Sequence, residues 1–261
     1  MNVITTTTAL AVSPPERRAV AERAIKSMSE VRGIDRWTLY VGIEMGCEAD
    51  RGLYDGIKFM PVVYHSNESK ANCTLNTLSI FSKAMVDKAE FICHVENDIL
   101  LSPDYIEYFE VLIRQYGSDP SIFSINAYTD NEDVEHKYNV YHRNWMTCWG
   151  VGFAKRQMSE LLADCMQRDL QEVVNNGWDC HAQIYTRRGR PCIHPFFSRC
   201  LHIGEEGLHE EYRGFDPAMV EENRTWGGND PTIMSEPTTS LMGRRPVKET
   251  EYIRVKEWSP E

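Results

Sequence analysis

Through the first half of the chain, short apolar runs alternate with segments whose apolar residues recur at helical spacing. Residues 1–9 read as a strand. In the segment that follows, "SPPERRAVAERAIKSMSEVRG", Ser13 suits a cap, Pro14 and Pro15 suit a first turn, and Val20, Ala24, Ile25 and Met28 recur as one helical face. Strands are then expected over residues 37–46, 59–65, 91–95 and 121–129, and helices over 72–88 and 103–116. In the helix over 72–88, Leu75, Leu78, Ile80, Phe81 and Met85 are expected inward. "WMTCWGVGFAKRQMSELLADCM" passes from a strand through glycines into a helix. Such alternation predicts an α/β fold: one Rossmann-like, mostly parallel sheet flanked by helices. Ligands of sheets of this kind bind beyond the carboxyl ends of the strands.

Those strand ends are therefore where chemistry is expected. In "FICHVENDILLSPDYIEYF" an apolar run stops at Glu96-Asn97-Asp98. Carboxylates leaving a strand suit a hard divalent cation, magnesium or manganese, which takes oxygen ligands and bridges to phosphates. A diphosphate would be repelled by these acids without such an ion and held with it. The same three residues also suit a turn and a helix cap.

The net charge of −11 makes the chain a poor general binder of nucleic acid or anionic membrane, so a polyanion partner needs a local basic patch. Arg187, Arg188 and Arg190 form one candidate, the tail "GRRPVKETEYIRVKEW" another. The eight cysteines contain no CxxC pair, which speaks against a structural zinc site; several lie inside apolar runs and read as reduced thiols in a cytosol-like compartment, while the even count leaves disulfides open. No basic n-region opens the sequence, and no window reaches the roughly 18 apolar residues of a membrane span. A cytoplasmic protein with no membrane partner is expected.

Four segments, in order, carry a resemblance. "VENDILLSPDYIEYF", "SINAYTDNED", "WGVGFAKRQMSEL" and "GWDCHAQIYTRRGRPCIHPFFSRCLHIGEEGLH" resemble the metal-binding segment, the Ser-Ala-Trp-Asn-Asp-Asn segment, the glycine-rich turn and the Trp-Asp segment of N-acetylglucosaminyltransferase I and its relatives. The resemblance runs to about residue 216. It implies a GT-A fold, a UDP-sugar donor and inverting transfer. It further implies a glycosyltransferase domain over 1–216, with a nucleotide-sugar half over 1–130 and a catalytic half over 131–216, and a packed extension over 217–261.

By the same resemblance, Asp98 is the ligand of manganese or magnesium and Glu96 shapes the donor site. Asn97 stands where an acid contacts the sugar nucleotide. Glu44 corresponds to a carboxylate that binds the uracil ring, Asn72 to a donor-contacting histidine, and Arg17, or Arg18 beside it, to a nucleotide contact. Asp179 is the catalytic base, although a helix cap after Gly177 suits it too. Trp178 is placed to stack on a sugar or base, with Arg187, Arg188 and Arg190 on the acceptor side. His202 and His209 flank "IGEEGLHEEY", a segment suited to a lid, and are candidates for a distal metal ligand. GlcNAc is the first donor sugar and glucose the next.

The acceptor follows from size and compartment. A short chain without an anchor is similar to phage glycosyltransferases found beside TET-like hydroxylases, which modify 5-hydroxymethylcytosine in DNA. A glycan, a lipid-linked sugar or a protein is the alternative acceptor. A non-catalytic nucleotide-sugar-binding module, favoured by the uncharged Asn97, is the alternative of another class.

Overall fold

The computed structural model describes residues 1–8, 15–69, 71–129, 138–203 and 254–257. The chain opens with β1 (Asn2–Thr8), α1 (Pro15–Ser29), β2 (Thr38–Ile43), the short α2 (Arg51–Tyr54), β3 (Val62–Ser66), α3 (Cys73–Val86) and β4 (Phe91–His94). It continues with β5 (Ile99–Leu101), α4 (Tyr105–Tyr116), β6 (Ser124–Asn126), β7 (Asn139–Arg143), β8 (Val151–Ala154) and α5 (Lys155–Gln167). Then come α6 (Leu170–Asn176), α7 (Trp178–Arg187), β9 (Cys192–Pro195), β10 (Cys200–His202) and β11 (Arg254–Glu257).

Nine strands form one sheet in the order β11-β7-β9-β6-β8-β4-β1-β2-β3, while β10 and β5 pair separately. Strands β3, β2, β1 and β4 are mutually parallel, the Rossmann-like part that the sequence predicts. Beyond β4 the sheet is mixed: β8 runs antiparallel to both β4 and β6, and only β6 and β9 pair parallel. Strand β8 leads straight into α5, and among the described residues no helix stands between β6 and β8 to return the chain in the same direction.

Period-two alternation splits the core into two layers. Ile4, Leu39, Val41, Phe91 and Cys93 face a layer with Tyr105, Phe109 and Leu112 of α4. Val3, Tyr40 and Ile92 face the other, with Ile80 and Phe81 of α3, Met158 and Leu161 of α5, and Trp178 of α7. Gly152 of β8 makes room for the first layer: a Cβ there would stand 2.4 Å from the Phe91 ring and 2.7 Å from Phe109. Helix α3 starts at an Asn72 cap, whose side chain accepts from the Leu75 N–H at 2.9 Å. It buries Thr77, Ile80, Phe81 and Ala84, while Leu75, Leu78 and Met85, expected inward, lie on its half-buried flanks.

Candidate active site

Three polar groups follow the carboxyl ends of the parallel strands. Glu44 follows β2 and is buried, with Oε1 accepting from the Ala71 N–H at 2.6 Å. The loop that carries Ala71 is sewn to the same strand end. Asn67 donates its backbone N–H to the Ile43 carbonyl at 3.1 Å and its Nδ2 to Asn76 Oδ1 at 2.8 Å, and Asn76 donates to the Gly42 carbonyl at 3.2 Å.

Glu96, Asn97 and Asp98 form the tight connection from β4 to β5, closed by the Ile99 N–H to the Glu96 carbonyl at 3.2 Å. Asp98 is further held by its carbonyl, which accepts from the Ile203 N–H at 2.9 Å, in line with the β5–β10 ladder. That ladder sets His202 beside Asp98, with Nε2 3.2 Å from Oδ2. The Trp149 ring stacks on the His202 imidazole at 4.8 Å and 20°.

Asp179 is brought in from the other half of the chain. It sits in the first turn of α7, after Gly177 at φ 82°, ψ 148°, a conformation that glycine alone adopts without strain. A Cβ on Gly177 would stand 2.6 Å from Asp179 Oδ1 and 3.9 Å from Thr74 Oγ1, so the carboxylate leans over the glycine toward the start of α3.

The three acids share one electrostatic neighbourhood. Burial first, then Asp98 and Asp179, push the Glu96 carboxyl well above the usual range. The Cys73 thiol is pushed up to about 11, chiefly by burial and then by Glu96, with Asp179 and Asp98 adding to it. Cys148 is raised by the same set, burial again first. A cation bound beside Glu96 would offset this repulsion and favour its charged form.

Asp98 supplies a second indication, because its Oδ1 is buried with no hydrogen-bond partner. Leaving such an oxygen unmet is costly. Among the described residues, no three His, Cys, Asp or Glu stand close enough to cage a metal by themselves. A hard cation bound at Asp98 would therefore complete its shell with water and diphosphate oxygens, as magnesium does. The residues fit such an ion.

No protein-family model matches the chain. Solved structures do. Residues 1–349 of S. aureus TarS match with a TM-score of 0.53 at 10% identity, over 78% of this chain and 61% of that one. TarS in complex with UDP-GlcNAc gives 0.55 at 9%, over 83% and 62%. The mannosyltransferase PcManGT from Pyrobaculum calidifontis, in complex with GDP-Man and Mn2+, gives 0.51 at 13%, over 85% and 60%. The fold is of the GT-A type. The chain spans about three fifths of the length of these structures, at 61%, 62% and 60%.

Within this GT-A frame, Glu96, Asp98 and Asp179 come together and Asn97 lies half-buried in the same turn. Other expectations are corrected. Trp178 is 3% exposed and packs edge-on against Phe81 and His94, so its ring is core and not a platform for an acceptor. The Asn72 side chain is occupied as the cap of α3. Arg190 is tied to Glu160 and lies over the Phe123 and Tyr185 rings. Arg188 is exposed at the carboxyl end of α7. The nine-residue spacing along the helix puts it about 13 Å along the axis from Asp179, which separates the two groups rather than pairing them. The side chains of Arg17 and Arg187, and all of His209 and residues 204–216, lie outside the described residues. No motif marks Cys73, Thr74 or Cys148, and Trp149 opens the glycine-rich segment without any sign of its contact with His202. Gly177 was legible as a turn before Trp-Asp but not as the seat of the carboxylate. Among the described residues, no helix is long and apolar enough to cross a membrane.

Proposed function

We propose that the protein is a metal-dependent, inverting glycosyltransferase that moves a sugar from a UDP-sugar to a hydroxyl group. The observation that carries this reading is the buried Asp98 oxygen without a hydrogen-bond partner, in a turn whose Glu96 feels the charge of both Asp98 and Asp179. The GT-A fold, and its occurrence in TarS with UDP-GlcNAc and in PcManGT with GDP-Man and Mn2+, supports it.

Asp98 holds the cation, with His202 beside it as a second ligand or as the group that steadies the carboxylate. Manganese or magnesium supplies charge neutralisation for the departing diphosphate. Glu44 faces the nucleobase and Glu96 and Asn97 the sugar nucleotide. Asp179 takes the proton of the acceptor hydroxyl as its oxygen bonds to the anomeric carbon. The bond from that carbon to the diphosphate oxygen breaks in the same displacement, which inverts the centre. GlcNAc is the first donor sugar to test and glucose the second. The transferase domain is assigned to 1–216 and the extension to 217–261, whose strand β11 pairs with β7.

For the acceptor, 5-hydroxymethylcytosine in DNA rests on the phage resemblance alone. The tie of Arg190 to Glu160, the remoteness of Arg188 and the net charge of −11 favour a second reading: a glycan, a lipid-linked sugar or a protein acceptor.

The test is a transfer assay with manganese, a panel of UDP-sugars and each acceptor class, read by mass. UDP release with a gain of one sugar on one acceptor supports the transferase reading and selects the acceptor. Absence of UDP release from every donor, with manganese present, contradicts it.

A further inference from the structure

Asp179 and the acid turn at Glu96–Asp98 belong to distant parts of the chain, and something must fix the distance between them. We propose that Trp178 is a positioning residue that sets Asp179 against that turn, a role that presupposes the transferase reading above. Three rings meet edge-to-face. Trp178 lies 5.4 Å from Phe81 at 89° and 5.4 Å from His94 at 87°, and Phe81 lies 5.3 Å from His94 at 89°. Phe153 closes a further side at 6.4 Å. Phe81 and Trp178 are 0% and 3% exposed and His94 is 1%, so no ring has room to turn.

Each ring belongs to a different part of the site. His94 ends β4, two residues before Glu96, and its Nδ1 meets Thr5 Oγ1 of β1 at 3.2 Å. Phe81 belongs to α3, whose first residue, Cys73, has its thiol in the field of all three acids. Trp178 opens α7, and Asp179 is the next residue. The cluster thus grips, at one point, the strand that leads into Glu96 and Asp98 and the helix that carries Asp179. Gly177 lets the chain enter α7 at φ 82° with no side chain beneath the Asp179 carboxylate. The ring does not reach the reacting atoms and acts through its neighbour.

The experiment uses the full chain with W178F, W178L, D179N and the double variant W178L/D179N, plus F123L as a control in the same core layer. UDP release from the UDP-sugar is followed against donor concentration. In W178L, kcat is expected to fall about tenfold or more with donor KM within about twofold, and W178F to regain most of it. In the D179N background, W178L is expected to add no further loss, because both changes act through one carboxylate. A W178L kcat equal to wild type, or losses that multiply in the double variant, overturns the proposal.

Amide exchange over residues 177–182 reads the same claim without turnover. Faster exchange there in W178L than in F123L, compared at equal distance below each Tm, supports the positioning role, and equal exchange overturns it. A wild type that neither releases UDP nor is stabilised by manganese and UDP-sugar overturns the transferase reading instead, and the exchange result still decides the placement.

Discussion

Gly177 carries two constraints at once: a φ of 82° and a missing Cβ that would stand 2.6 Å from Asp179 Oδ1. Gly177→Ala is expected to cost about 1–3 kcal/mol of stability from the backbone conformation, measured by urea unfolding. It is also expected to lower UDP release more than that loss explains, because the carboxylate must move. A second residue-scale expectation concerns His94, whose imidazole is held down at about 3 by burial, despite the backbone at Thr5. The unfolded chain takes up that proton first. Stability from neutral His94 is therefore full above the ordinary value of 6.5 and is lost as pH falls from 6.5 toward about 3. The slope of stability against pH is expected to be shallower in His94→Gln, by up to about 1.4 kcal/mol per pH unit in that window. Equal slopes would remove His94 as a contributor. At this scale the sequence was informative where chemistry is local, as in Glu96-Asn97-Asp98. It was misleading at Trp178, because an aromatic beside an acid reads the same in a core and in an acceptor site.

Helix α7 links the site to a stabilising pair at its other end. Arg190, 21% exposed at its side chain, meets Glu160 of α5, 31% exposed, and lies over Tyr185 of α7. Arg190→Ala is expected to lower stability by about 1–3 kcal/mol and leave UDP release per folded molecule unchanged. Arg188→Ala, at an exposed position, is expected to stay within about 0.5 kcal/mol. Thermal melts with parallel turnover check both; unchanged stability with lost acceptor transfer in Arg190→Ala would restore it as an acceptor contact. The element pattern was largely readable, since the apolar runs of β1 to β4 and the face of α3 have clear periods. Expected residues 121–129 shrink to β6 (Ser124–Asn126), and β10 was not foreseen, because three-residue strands carry too few residues to show a period. The pairing of β10 with β5 matters, since it brings His202 to Asp98.

For the whole molecule, the parallel half was legible and the mixed half was not. Alternation of strands and helices predicts parallel neighbours, and only the fold shows β8 inserted antiparallel between β4 and β6. Helices α5 and α7, which follow that insertion in the chain, pack on α3. A molecule of net charge −11 holding a polyanionic acceptor must do so through a few local cations. If DNA is the acceptor, transfer falls steeply between low and moderate salt, and activity that stays flat selects an uncharged acceptor. The central claim is that Asp98 holds a cation that the donor diphosphate shares, with Asp179 acting later on the acceptor. The most direct measurement is calorimetric UDP affinity with and without manganese in wild type, Asp98→Ala and Asp179→Asn. Wild type and Asp179→Asn are expected to bind UDP alike and only with the metal, and Asp98→Ala about ten- to a hundredfold more weakly. UDP affinity that ignores manganese, or an Asp98→Ala variant that binds like wild type, would contradict the account.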